Sequence, residues 1–364
     1  MEKIKNIEFL RVFLISSIVL LHMFIDRTWC LCTLFPDVSL YQNISKAIAH
    51  SNNGVEGFFI IAGFLLVLTF KQQIKLKDFI LKKYIRLSPV ILFSMILCFI
   101  GFLLGTMNFD WGANILTVLL VNQFGLKFVC GQNPILWFTS VLFAGLLIYF
   151  CIIKFLSSPK KYALISGMVL VSYGIIEILQ HGSFANPLKN YYHFFNIGFL
   201  RAIGGIGLGC LVGFLYKYIV SKSEKNKFGL STKIFCTLSE LLLTCFVIWW
   251  CIGVHKRINN LFFVFSFALL LILFIFKKGY FSQILNKDLW VFLGRFQYSI
   301  YVIHYVVIRI LGLFIWKNQP MFVVSHPILP IFFTLCVILV IGVLTYYMVE
   351  LPCTNFLKQK FLRK

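Results

Sequence analysis

The chain predicts an all-α, polytopic membrane bundle of about ten transmembrane helices with both termini in the cytoplasm. Three observations lead there. Of its 364 residues, 60% are hydrophobic and only 13% charged, against roughly 45–50% and about 25% in a soluble domain. Mean hydropathy is +0.90. The apolar residues gather in windows of about 20, the length that crosses ~30 Å of hydrocarbon as a helix. With 42 phenylalanines and 18% aromatic residues, the chain has more apolar surface than one aqueous core can hide. A soluble enzyme, a disordered scaffold and a disulfide-stapled secreted domain are excluded.

Taken in order, the predicted spans are 7–25, 54–70, 89–106, 134–153, 161–179, 196–216, 234–254, 258–276, 290–315 and 328–349. A shorter apolar piece at 114–124 reads as interfacial or re-entrant. The first run follows lysines as a signal peptide would, but it is too long for a signal core and carries Arg11 and His22. Assigned to loops, 23 Lys and Arg fall on one side and seven on the other. That asymmetry puts both termini in the cytoplasm of a cell (inner) membrane. It also accounts for the formal charge of +22 without nucleic acid, which is not expected as a partner. No extramembrane stretch reaches the ~50 residues of a separate domain, so 1–364 reads as one transmembrane unit. Most of the 11 cysteines lie in apolar runs. Cys30, Cys32 and Cys130 fall in outer loops, where a disulfide stays open. A Lys-, Ile- and Phe-heavy composition suggests a bacterial host with an AT-rich genome.

Ionisable residues inside spans are the informative ones, because each costs about 2.5–3.5 kcal/mol on insertion scales. The first span holds three. Arg11 and His22 are eleven residues apart, three turns plus about 20°, so they share a face with about 16 Å between them. Glu8 lies one turn before Arg11 and is placed to pair with it. In the second span, which opens with Gly54–Phe64, Glu56 enters at the expected depth of His22. A carboxylate there would fix the imidazole's tautomer and raise its basicity. Lys82, Lys83 and Arg86 follow on the cytoplasmic face, where they set topology or grip an anionic phosphate carrier. His50, His181, His193, His255 and His326 are too scattered for metal ligation, and no metal is expected.

Together these residues resemble the acyltransferase-3 family of integral-membrane O-acyltransferases. Arg11 and His22, within Ile7-Glu8-Phe9-Leu10-Arg11, are similar to the family's opening signature, and Gly54–Phe64 to its second motif. Lys83-Tyr84-Ile85-Arg86 resembles the cytoplasmic Arg-x-x-Arg. Leu136-Trp137-Phe138-Thr139-Ser140 resembles the Trp-Phe-Leu-Ser entry to a middle span. Arg201-Ala202-Ile203 with Gly207-Leu208-Gly209 resembles a later glycine-rich start. Tyr298 to His304 resembles the late Ser-x-Tyr-x-x-His, and Glu350-Leu351-Pro352 the terminal Glu-x-Pro. The order holds from residue 7 to 352. Lys83 departs from the family's arginine, Ala62 from a frequent serine, and Leu142 from a glutamate found in many members.

The resemblance implies transfer of an acyl group, usually acetyl, from cytoplasmic acetyl-CoA to a hydroxyl of a surface or lipid-linked glycan. It implies His22 and Arg11 as the essential pair, and Lys83 with Arg86 as the hold on CoA. Glu56 is expected to orient His22. Glu8, Trp137, Arg201, Tyr301 and His304 are expected to line a substrate pocket. Expected partners are membrane lipids and the acceptor sugar. The alternative is a secondary transporter or flippase whose buried charges line a pathway, although no inverted repeat is visible.

Overall fold

The computed structural model describes residues 4–25, 29–106, 108–124, 132–184, 187, 190–192, 195–222, 230–253 and 259–362. Eleven helices carry the architecture: α1 (Lys5–Phe24), α2 (Gly54–Thr69), α3 (Leu76–Leu103), α4 (Trp111–Val118), α5 (Trp137–Phe155), α6 (Ser158–Gln180), α7 (Ile197–Lys222), α8 (Leu230–Cys251), α9 (Leu261–Phe276), α10 (Gln297–Ile310) and α11 (Ile328–Thr345). Among the described residues, nine helices are long and apolar enough to cross a membrane. α9 is apolar but has 16 residues, about 24 Å at 1.5 Å per residue. The predicted span at 258–276 is therefore shorter than read. An antiparallel hairpin, Asn190–Tyr192 with Phe195–Asn196, is the only strand pairing among the described residues.

Two boundaries differ from the hydropathy reading. α3 starts at Leu76, not at 89, runs through Pro89, and carries Lys82, Lys83 and Arg86 in its first turns. A hydropathy window finds the apolar part of a helix, whereas the helix starts where Lys75 turns extended and Asp78 meets the positive N-terminal end. Near residue 290 a short helix, Asp288–Leu293, precedes a turn, and α10 begins only at Gln297. The piece at 114–124 folds back into the bundle. The Tyr84 hydroxyl donates to the Val118 carbonyl at 3.3 Å, and the Ser140 hydroxyl to Leu120 at 2.6 Å.

α2 and α7 pack backbone against backbone, and glycine makes it possible. A Cβ on Gly63 would lie 1.9 Å from the Ile206 carbonyl oxygen, and one on Gly209 would lie 1.9 Å from that of Ile60. Two backbones thus touch directly, as small residues allow inside a bilayer. The outward faces of α6, α8 and α11 expose Leu170, Ile178, Leu242, Phe332 and other large apolar side chains, a surface suited to lipid. Glu240, fully buried on α8, accepts from the backbone N–H of Gly279 at 3.2 Å and of Ser282 at 2.9 Å. It thereby fixes the turn that follows α9.

Cys30 and Cys32 are free thiols, and the Cys30 sulfur donates to the Phe24 carbonyl. Cys130, His193 and His255 lie outside the described residues.

Gly209→Ala is expected to cost about 1–3 kcal/mol through overpacking, read as a lower thermal midpoint in detergent. Gly167→Ala, whose added Cβ meets nothing within 4 Å, should leave the midpoint unchanged or raise it, because alanine favours a helix interior.

Candidate active site

One end of the bundle gathers charge. Arg11 pairs with Glu8 as expected, its Nη1 lying 3.1 and 3.2 Å from the two carboxylate oxygens. Glu8 is held in turn by the turn before α10. A Cβ on Gly294 would sit 2.2 Å from its Oε2, so the turn passes close beside the carboxylate. The Gln297 amide approaches the Glu8 carbonyl at 3.4 Å. Beside them, Ser299 donates to Glu350 at 2.6 Å. This joins the start of α10 to the helical turn Tyr346–Glu350 that follows α11.

Arg11 opens onto a cavity of about 260 Å³. Lys83 and Arg86 stand at the same mouth, with Thr69 and Gln297. They are three residues apart on α3 and so share its face. Among the described residues neither has an ion-pair partner; Lys83 Nζ rests 5.3 Å from the centre of the Phe79 ring. The mouth therefore presents two cations, Lys83 and Arg86, that no described carboxylate pairs with. Beyond it the walls turn apolar: Ile61, Ala62 and Leu65 from α2, and Leu142, Phe143 and Leu146 from α5. The lining runs along α2 from Thr69 to Phe58, about 16 Å of helix. Phe58, Phe138 and Tyr301 line its far end, with Phe138 and Tyr301 rings 5.3 Å apart. The Tyr301 hydroxyl donates to the Ile135 carbonyl at 2.5 Å.

Past Tyr301 lies a pair of histidines. His22 Nδ1 and His304 Nε2 are 3.0 Å apart, and His304 Nδ1 is 3.1 Å from the Ile300 carbonyl. His304 is fully buried, and its ring stands 5.9 Å from that of Tyr301. Tyr305 packs edge-on against His22 at 5.6 Å. Arg11 lines the cavity, whereas His22 lies one side chain beyond its lining. The face shared by Arg11 and His22 is real, but Phe138 and Tyr301 stand at the cavity's end before the ring.

Glu56 does not orient His22. It forms a bidentate pair with Arg201, Nε to Oε1 and Nη2 to Oε2, both at 2.6 Å. The remaining donors of Arg201 reach the carbonyls of Phe184 at 2.9 Å and Asn52 at 3.2 Å. Exposure is 0% for Glu56 and 1% for Arg201. A carboxylate buried that deeply needs a full counter-charge and several hydrogen bonds, and the guanidinium fork supplies both where an imidazole would supply one N–H. Trp137 covers this pair, its ring 5.4 Å from the guanidinium carbon. Of the five expected pocket residues, Tyr301 alone lines the cavity. Arg201 and Trp137 build a structural clasp, Glu8 holds Arg11, and His304 holds His22. Gln297 was missed. It faces the cavity, 3% exposed, with no hydrogen-bond partner for its Oε1 among the described residues, and a neutral amide at a span's start carries no hydropathy signal.

Arg201→Met strands a buried carboxylate and is expected to cost about 3–5 kcal/mol, read as lost thermal stability in detergent. The double change with Glu56→Leu should recover most of it.

The family model described as an acyltransferase domain matches residues 4–347. No curated protein matches the chain, and no solved structure does. A match over nearly the whole length, on a bundle of apolar helices, settles the class: the chain belongs to the acyltransferase-3 family and is a multi-pass membrane acyltransferase.

Proposed function

We propose that the protein transfers an acyl group, acetyl in the simplest case, from cytoplasmic acyl-CoA to a hydroxyl of a surface or lipid-linked glycan at the cell membrane. The observation that carries this is the cavity itself: a mouth where Lys83 and Arg86 have no ion-pair partner among the described residues, apolar walls, and a histidine pair just past its far end. The basic loops favour a cytoplasmic position for that mouth and for both termini. Phosphates of CoA meet Lys83, Arg86 and Arg11 there. The pantetheine arm follows the ~16 Å of lining along α2, and the thioester passes Tyr301 to reach His22.

His22 is the base. It takes the proton of the acceptor hydroxyl as the oxygen attacks the thioester carbonyl, or it first accepts the acyl group itself. Arg11, held by Glu8, keeps a fixed charge beside the donor. Glu56 acts at a distance, by anchoring α2 to α7.

Membranes containing the protein should release CoA from labelled acetyl-CoA when a glycan acceptor is supplied. His22→Ala should abolish release at normal expression. Lys83→Ala and Arg86→Ala each remove a charge-assisted contact worth about 1.5–3 kcal/mol, so each should raise KM for acetyl-CoA by roughly 10- to 100-fold. Label that crosses the bilayer with its thioester intact would contradict the proposal.

A further inference from the structure

We propose that His304 is the positioning partner of His22, fixing its tautomer so that Nε2 is the basic nitrogen and sharing the charge that Nε2 gains. This deepens the acyl-transfer reading above and rests on it.

The tautomers follow from the backbone carbonyls around the two rings: that of Ile18, one turn back on α1, accepts from His22 alongside His304, and His304 meets the backbone at Ile300 and Tyr301. The Ile300 oxygen can only accept, so His304 Nδ1, 3.1 Å away, carries the ring's hydrogen. A neutral imidazole has one N–H, which leaves His304 Nε2 with a lone pair. That lone pair faces His22 Nδ1 at 3.0 Å, so His22 donates from Nδ1 and its own lone pair sits on Nε2. A doubly protonated His304 would reverse the pattern. It would put a full charge at 0% exposure, where its hydrogen-bond and ring neighbours are His22, the Ile300 carbonyl and Tyr301. None of these is an anion, and an unpaired buried charge is costly. The carboxylate expected beside His22 from the sequence, Glu56, is committed to Arg201.

In the reaction the acceptor's O–H bond breaks and its proton moves to His22 Nε2. The oxygen bonds to the thioester carbonyl carbon, the C–S bond breaks, and the departing thiolate recovers the proton from Nε2 as free thiol. While His22 is charged, its Nδ1–H···Nε2 bond to His304 becomes charge-assisted and stronger. His304 in turn passes polarisation to the Ile300 carbonyl. A neutral imidazole thus takes the place that a carboxylate occupies in other histidine-based sites.

The test uses two variants of the full-length protein in detergent. His304→Phe keeps an aromatic ring and removes the acceptor nitrogen; if it fails to fold, His304→Leu takes its place. His304→Gln offers a side-chain carbonyl to His22 Nδ1. The expected result is a fall in kcat of about 100-fold or more for His304→Phe, the scale of a lost general base, with KM for acetyl-CoA within about twofold. His304→Gln should recover to within about tenfold of the parent. A phenylalanine variant with parental kcat, or a glutamine variant as inactive as the phenylalanine one, overturns the proposal. Either result leaves the acyl-transfer reading intact if His22→Ala is inactive, whereas a parent protein that releases no CoA overturns both.

Discussion

Charge inside an apolar bundle must find a partner, and the fold is organised around which partners were available. Glu56 and Arg201 are fully buried and satisfy each other through two 2.6 Å contacts, and further Arg201 bonds pull in the chain at Asn52 and Phe184. That clasp sits near the starts of α2 and α7, the same pair whose glycines bring their backbones together at Gly63 and Gly209. The pair is therefore fixed at its end by charge and along its length by contact. α2 is also a wall of the cavity, so the clasp shapes a site that it does not enter.

The same constraint explains what remains at the site. Glu8 neutralises Arg11, and Glu240 is consumed by backbone amides. Lys83 and Arg86 have no ion-pair partner among the described residues, and they stand where the cavity opens. Cations left over at the mouth of an otherwise apolar channel suit a ligand that brings its own anionic groups and an apolar arm. At the other end, burial favours a neutral pair, and His22 meets His304 rather than a carboxylate.

Much of this was legible in the chain. Windows of about 20 apolar residues locate helices because the bilayer fixes their length, and the stripe from Glu8 through Arg11 to His22 follows from helical periodicity alone. What was hidden is azimuth. Depth put Glu56 beside His22, but depth does not say which way α2 is turned, and the side chain faces α7. His304 was visible as a residue worth noting, yet its partner lies 282 positions away on a helix whose tilt no periodicity encodes. The start of α3 was misplaced because basic residues lower hydropathy without ending a helix, and Gln297 was overlooked because it is uncharged.

The central claim is that a donor entering between Arg11, Lys83 and Arg86 is delivered to His22. A structure of the protein with a non-hydrolysable acetyl-CoA analogue tests it most directly. The account predicts phosphate density against Lys83 and Arg86, the arm along α2 and α5, and the carbonyl past Tyr301 at about 3–3.5 Å from the reacting groups at His22. An analogue bound elsewhere on the bundle, or one whose carbonyl stops short behind Phe138 and Tyr301, would contradict it.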